Sequence, residues 1–227
     1  VTATTLYAGG RTALYKSTNT GTSWSAVGTP TGTGNVIEFV IAPSNNQIIY
    51  AIKSGTNAVS KSTNGGTSFT AVSTGLPTTV APTCVTVSNT DPNIVYVTYS
   101  GYSGANKVFK STNGGTSWTN ISTGLPNIPV NTIVFQNGST NDAVYIGTDV
   151  GVYYKDNTTA WIAFNTGLPN VSVRDLEIYY PTSRLRCATF GRGTWDSDLY
   201  SAVAAVPVAS FTASATTICV GQTVTYT

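Results

Sequence analysis

Histidine is absent from the 227 residues of this sequence. Without it, neither a Ser-His-Asp nor a Cys-His catalytic arrangement can form, and no metal can be held by imidazole. Charged residues make up only 9% of the chain, far below the ~25% of a typical soluble domain. The eleven Lys and Arg residues are scattered and the net charge is +2, which provides no clustered basic surface for nucleic acid. We therefore expect no histidine-dependent catalysis and no nucleic-acid partner.

Cysteine is also rare, with residues only at positions 84, 187 and 219. These positions lie too far apart in sequence for a metal-binding knuckle, and an odd number leaves at least one thiol without a partner. We expect Cys84 and Cys187, on strands of non-adjacent repeats, to be buried free thiols. The sequence predicts neither a metal nor a cofactor.

Long apolar runs are lacking, and none approaches the ~20 residues of a membrane span. The opening segment "VTATTLYAGG" has neither the basic start nor the apolar stretch of a signal peptide. We therefore expect no membrane insertion, and we treat the chain as a mature product or an internal fragment.

A nine-residue segment, in contrast, occurs three times: "KSTNTGTSW", "KSTNGGTSF" and "KSTNGGTSW". The lysines at 16, 61, 110 and 155 are 45, 49 and 45 residues apart, and "TGLP" recurs at 74–77, 123–126 and 166–169. A catalytic motif is needed once, whereas a structural turn is needed in every repeating unit. Periods of this length indicate a repeat architecture.

Each repeat contains four short apolar segments separated by Gly, Pro, Asn and Ser, which predicts four strands and almost no helix. A single four-stranded sheet cannot bury both of its faces. Sheets stacked around an axis bury them, which predicts an all-β propeller of four-stranded antiparallel blades. A β-sandwich and a solenoid are the alternatives.

The repeated segment resembles the Asp-box of the BNR-repeat family, Ser-x-Asp-x-Gly-x-Thr-Trp, which occurs in sialidases, xyloglucan-cleaving enzymes and sortilin-like domains. The resemblance implies a turn between the third and fourth strands at the outer rim of each blade, with the aromatic residue between blades. Asn occupies the acidic position, which preserves acceptance from turn amides and argues against metal binding. The predicted structural residues are Ser17, Asn19, Gly21, Trp24, Ser62, Asn64, Gly66, Phe69, Ser111, Asn113, Gly115, Trp118 and, in a shortened fourth box, Trp161.

Residues 1–201 are expected to form four to five blades, with four strands each in 36–77, 82–126 and 130–169. Residues 4–28 and 173–200 supply three strands each. We expect the C-terminal part of a larger propeller that lacks its N-terminal part here, with a small closed ring as the alternative. The segment 173–200 resembles the terminal blade of large secreted proteins of the Bacteroidetes type. Residues 202–207 are a predicted linker, and 208–227 resemble the beginning of an immunoglobulin-like PKD domain, which implies a later partner for Cys219.

Asp175 and Glu177 are weak catalytic candidates among nine carboxylates, and no residue is firmly predicted to be catalytic. Two apart on a first strand, they would share a side and line the central channel, where glycoside hydrolysis needs paired carboxylates. Glu38 lies on the matching strand of an earlier repeat. Salt bridges or solvation in a wet channel are the alternative role for these charges. The arginine trio of sialidases is not matched.

The sequence thus favours a non-catalytic, secreted or cell-surface propeller that binds or adheres, with polysaccharide or another cell-surface component as partner, within a longer multi-domain chain. The alternative is the C-terminal part of a secreted glycoside hydrolase. A sortilin-like peptide receptor shares the boxes, but the PKD-like segment argues against it.

Overall fold

The structure, a computed structural model, describes residues 4–55, 58–102 and 104–200. The predicted linker and PKD-like segment, with Cys219, lie outside the described residues. Cys84 and Cys187 are both buried free thiols.

Eighteen strands form five antiparallel sheets in the described part of the chain. The first sheet contains β1 (Leu6–Gly9), β2 (Leu14–Ser17) and β3 (Ser25–Ala26). The second contains β4 (Val36–Ile41), β5 (Ile49–Lys53), β6 (Val59–Ser62) and β7 (Thr70–Ala71). The third contains β8 (Pro82–Val87), β9 (Val95–Tyr99), β10 (Val108–Ser111) and β11 (Thr119–Asn120). The fourth contains β12 (Val130–Phe135), β13 (Val144–Thr148), β14 (Gly151–Lys155) and β15 (Ile162–Ala163), and the fifth contains β16 (Val173–Tyr179), β17 (Arg184–Thr189) and β18 (Gly193–Asp198).

The sheets follow one another in chain order, and neighbouring sheets meet through their first strands, β4 with β8, β8 with β12 and β12 with β16. Three apolar clusters fill the interfaces from the second sheet to the fifth. The sheets are arranged as propeller blades, so the predicted all-β fold is confirmed. The described residues contain no α-helix, and the one helical element is a 3-10 turn over Tyr180–Thr182.

Burial explains why the second strands are almost continuously apolar. All five residues of β5, of β9 and of β13 are buried, because a neighbouring sheet covers each of their faces. The two-residue fourth strands β7 and β11 are exposed. The core therefore runs through the middle of each blade, and polarity increases toward the rim.

A lysine–tyrosine pair repeats across the first three sheets, where it accounts for the recurrence of both residues in the sequence. Lys61 pairs with Tyr50, and Lys110 pairs with Tyr96, in adjacent strands. Each ammonium lies 5.4 Å from the ring centroid of its tyrosine. The hydroxyl of Tyr50 donates to the carbonyl of Pro92 in the following sheet at 2.8 Å. The pair therefore packs within one sheet and links it to the next.

The fourth repeat is shifted by one residue, which the lysine spacing does not reveal. Tyr154, rather than Lys155, is the strand partner of Tyr145. The sequence alignment of Lys155 with the other repeated lysines was therefore wrong. Tyr154 instead donates through its hydroxyl to Asp156 at 2.9 Å, at the start of the shortened box.

Candidate functional site

The three full box turns connect third and fourth strands, and each is closed by its own side chains. In the third sheet, the Ser111 hydroxyl accepts from the amides of Asn113 at 3.2 Å and Gly115 at 2.8 Å. The Asn113 side-chain oxygen accepts from the Ser117 amide at 2.9 Å, and its NH2 group donates to the Ser117 hydroxyl at 2.8 Å. The other two boxes make the same bonds. These polar groups are therefore used inside the turn.

The glycine and the aromatic residue of the box fit against the preceding sheet. Gly115 has φ +87°, and a Cβ there would lie 2.8 Å from Val72, so only glycine fits. The indole N–H of Trp118 donates to the Val72 carbonyl at 2.8 Å, and that of Trp161 donates to the Ile121 carbonyl at 2.7 Å. Phe69 is half-buried, and Trp24, in the first sheet, is 42% exposed.

Asp175 and Glu177 lie on one face of β16, and Leu176 and Ile178 face the fourth sheet. Both carboxylates are exposed. One oxygen of Asp175 accepts from the Leu176 amide at 2.9 Å. The two side chains therefore occupy the face of the fifth sheet opposite the one that packs against the fourth sheet. Asp175 is nevertheless close enough to Glu38 of the second sheet for their charges to interact.

The register of the first strands gives Asp175 a structural counterpart in the second, third and fourth sheets. A bulge near the start of these strands aligns Glu38, Cys84, Thr132 and Asp175. One Glu38 oxygen accepts from the Val85 amide of the following sheet at 2.8 Å. Burial raises the pKa of Glu38, and the charge of Asp175 adds to this effect. At this position, Glu38 and Cys84 each form a hydrogen bond with the following sheet.

The opposite end of the sheets from the boxes carries a different group of side chains. The box turns follow third strands, so the hairpins that follow second strands lie at the other end, which we call the hairpin face. Three of these hairpins and the starts of two first strands converge there. We call the group the Asp149 cluster, and it consists of Tyr102, Asn131, Asp149, Ser172, Arg174 and Phe190.

Asp149, in the two-residue β13–β14 connection, is the hub of this cluster. One carboxylate oxygen accepts from the Asn131 NH2 group at 3.0 Å and from the Ser172 hydroxyl at 2.9 Å. The other accepts from the Tyr102 hydroxyl at 2.7 Å. Burial alone would raise the pKa of Asp149. The three hydrogen bonds and the nearby Arg174 guanidinium outweigh burial and lower that pKa, so the carboxylate is ionised at neutral pH.

Two exposed aromatic rings belong to the cluster, one bonded to this carboxylate and the other beside Arg174. Tyr102 is 66% exposed and Phe190 is 74% exposed, the largest values among the large hydrophobic side chains in the described ranges. The Arg174 guanidinium lies 5.7 Å from the Phe190 ring centroid. The Phe190 amide donates to the Ser172 carbonyl at 2.8 Å, which ties this ring to the residue that binds Asp149. The cluster therefore joins rings, opposite charges and hydroxyl groups on one surface.

Sequence reasoning missed this cluster because its members come from three different repeats and match no motif. The signal was the departure from periodicity, 49 residues between the second and third boxes instead of 45. The β9–β10 connection has eight residues, against five for β5–β6 and two for β13–β14, and the additional length carries Tyr102 to Asp149.

A cavity of about 290 Å³ lies between the fourth and fifth sheets, where it is lined by residues of β17 and β18. Its apolar lining includes Phe164, Leu168, Leu185 and Trp195. In the third and fourth sheets a fourth strand follows the equivalent third strand, whereas the described fifth sheet ends at β18.

No group of three or more His, Cys, Asp or Glu side chains that would suit a metal ion occurs within residues 4–55, 58–102 and 104–200. Over the same ranges, no helix has the length and apolar character needed to cross a membrane.

The family model of Sortilin-Vps10, described as sortilin, neurotensin receptor 3, matches residues 12–129. This match covers 118 of the 227 residues. The chain belongs to this family. Within this Sortilin-Vps10 chain, the matched region spans most of the first three sheets and ends before Asn131. Most of the Asp149 cluster therefore lies beyond it. No curated protein matches the chain.

Solved structures with the same fold include a GH74 enzyme from Niastella koreensis, with 24% identity and a TM-score of 0.64 over 86% of this chain and 34% of that one. The GH74 xyloglucanase from Xanthomonas campestris has 13% identity and a TM-score of 0.61 over 85% and 34%. The extracellular domain of a putative hybrid two-component system from B. thetaiotaomicron has 13% identity and a TM-score of 0.65 over 88% and 26%. This Sortilin-Vps10 chain thus spans about a quarter to a third of their lengths, and the likeness concerns the fold.

Proposed function

We propose that the chain is a non-catalytic, extracellular or cell-surface propeller module that binds or adheres, with polysaccharide as its ligand. The observation that carries this proposal is the Asp149 cluster. Its two aromatic rings are exposed, although burial would stabilise the fold. An aromatic ring beside fixed polar groups is a surface suited to the apolar face and the hydroxyl groups of a sugar.

The positions of the other polar groups support a role without catalysis. Box side chains bond to their own turns. Asp175 and Glu177 occupy a sheet face, and the Glu38 carboxylate at the equivalent position bonds to the following sheet. The Glu38 carboxylate thus has a structural role between two sheets, and among the described residues Asp175 bonds only to the neighbouring Leu176 amide.

The proposal is tested by affinity electrophoresis of the full chain in gels that contain a panel of soluble polysaccharides, together with a reducing-sugar assay. We expect at least one polysaccharide to retard the protein and no new reducing ends to appear. Release of reducing ends, or migration unchanged by every polysaccharide, would contradict the proposal.

A second candidate is the C-terminal part of a glycoside hydrolase, which the fold likeness to GH74 enzymes favours. It predicts that Asp175→Asn or Glu177→Gln abolishes polysaccharide cleavage while the unfolding temperature is retained. Cleavage at the unsubstituted rate in both variants would eliminate this candidate.

We also propose that the chain belongs to a longer secreted protein with a larger propeller, followed by a linker at 202–207 and a PKD-like domain. The exposed face of β16 supports this. β12 has the same bulge and packs against the following sheet, so the equivalent face of β16 is suited to pack against a further sheet. Limited proteolysis, followed by mass spectrometry, is expected to cut within 202–207 first. A first cut inside 4–200 would contradict the domain boundary. The proposed location predicts that antibodies label intact cells or that the protein is detected in the medium.

A further inference from the structure

We propose that the Asp149 cluster is a binding subsite for an uncharged polysaccharide, in which Tyr102 and Phe190 stack against sugar rings. Asp149, which accepts from Tyr102, and Arg174, which lies over Phe190, bind sugar hydroxyl groups. This inference rests on the proposed function and specifies where the ligand binds and which chemical class it has.

The exposure of the two rings has no explanation in the packing of the sheets. Other tyrosines, including Tyr50, Tyr96 and Tyr145, are buried between blades. Phe190 has no polar atom in its side chain, so its 74% exposure leaves apolar surface in water without a compensating hydrogen bond. A sugar ring placed over Phe190 would remove this surface from water.

Tyr102 is held in position before any ligand binds. Its hydroxyl donates to Asp149, and its carbonyl accepts from the Asn127 side-chain NH2 group. The buried Lys107 donates to the carbonyl of Gly101 and secures the same hairpin. A side chain fixed in this way loses little conformational entropy on binding, which favours affinity.

Asp149 is equally well fixed. Because three donors orient its carboxylate, the acceptor positions that remain have defined directions. Arg174, in the bulge of β16, brings guanidinium donors near this carboxylate. Hydroxyl groups of a sugar both donate and accept, so this donor and acceptor pair matches them.

The charges of the cluster favour an uncharged ligand. Asp149 and Arg174 are opposite in sign and interact with each other, and the other four members are neutral at pH 7. A polyuronate would meet the Asp149 carboxylate beside the guanidinium and gain little net attraction. The ligand class that fits is a neutral hexose or pentose polymer.

The test measures the affinity of the full chain for neutral polysaccharides, such as soluble glucans, galactomannan and xyloglucan, and for the polyuronates alginate and pectate. Tyr102→Ala and Phe190→Ala are each expected to weaken binding of the neutral ligand by roughly tenfold, equivalent to ~1.4 kcal/mol. Tyr102→Phe keeps the ring and loses one bond to Asp149, so a smaller loss is expected. Phe190→Trp is expected to bind at least as tightly as the unsubstituted chain.

The matched control is Tyr180→Phe. Tyr180 is also an exposed tyrosine, but it lies at the opposite end of the fifth sheet, where its hydroxyl accepts from the Asn137 amide at 2.8 Å. The affinity of the Tyr180→Phe variant for the polysaccharide should equal that of the unsubstituted chain. Because Phe190 and Tyr102 are exposed, unfolding temperatures of the variants are expected to stay close to that of the unsubstituted chain.

The outcomes separate this inference from the proposed function. Binding of a neutral polysaccharide that survives both alanine substitutions would overturn the subsite and leave the function standing. Selective, salt-sensitive binding of a polyuronate would overturn the ligand class. An unsubstituted chain that binds no polysaccharide at all would overturn both the function and the subsite.

Discussion

Single residues explain why the boxes tolerate asparagine. The Asn113 oxygen accepts from a turn amide while its NH2 group donates to the Ser117 hydroxyl. An aspartate at this position could accept from the turn amide, but it has no N–H group to donate to the Ser117 hydroxyl. That hydroxyl would have to rotate and become the donor. Asparagine and serine therefore form a matched pair in all three full boxes.

The buried serine at the start of the box is predicted to be the most sensitive polar position of the turn. Ser111 is 1% exposed and accepts from two amides. Ser111→Ala leaves these amides without their acceptor and should lower the free energy of unfolding by about 1–3 kcal/mol, measured by urea denaturation. Thr112→Ala, at the exposed neighbouring residue, is the control. Equal stability of the two variants would contradict the structural role of the box.

Glu38 provides a prediction about pH. Burial raises its pKa above 4.5, so the folded state binds the proton more tightly than the unfolded state. The resulting stability is fully present below pH 4.5 and is lost as the pH rises through the folded-state pKa. Glu38→Gln, which mimics the protonated form, should therefore be more stable than the unsubstituted chain at pH 7. This advantage should disappear below pH 4.5 in thermal unfolding across pH. A variant that is less stable at pH 7 would contradict the assignment.

At the scale of elements, the strands and their turns were predictable, because periodicity of apolar residues and turn residues sets each four-stranded sheet. The one-residue shift of Tyr154 was not predictable, because lysine occurs at the next position and preserves the apparent spacing. The Asp149 cluster was not predictable either. Its geometry depends on hairpin lengths in separate repeats and on bulges such as that at Arg174, which no sequence period reports.

The shortened fourth box gives a prediction for a whole turn. Burial would raise the pKa of Asp156, but hydrogen bonds from Thr158, Thr159 and Tyr154 hold it at about 2. The stability that this carboxylate contributes is present above pH 3.8 and is lost as the pH falls through 2. Asp156→Asn should therefore unfold at a lower temperature at pH 7, and the difference should shrink between pH 4 and pH 2. A difference that does not vary with pH would contradict the proposed turn.

For the whole molecule, the blades separate two tasks onto opposite ends of the sheets. The box turns use their polar groups to close each blade, and Trp118 and Trp161 join each blade to the preceding one. The hairpins of the hairpin face differ in length from repeat to repeat. Their side chains can therefore differ without disturbing the packing of one sheet on the next. This arrangement places variable loops on a rigid support, as binding surfaces commonly require.

Hydrogen–deuterium exchange of the full chain, with and without a saturating neutral polysaccharide, tests the binding surface most directly. The Asp149 subsite predicts slower exchange at 100–102, 149–150, 172–174 and 190–192, with unchanged exchange in the three box turns. Protection confined to the box turns, or to the outward face of β16, would contradict it.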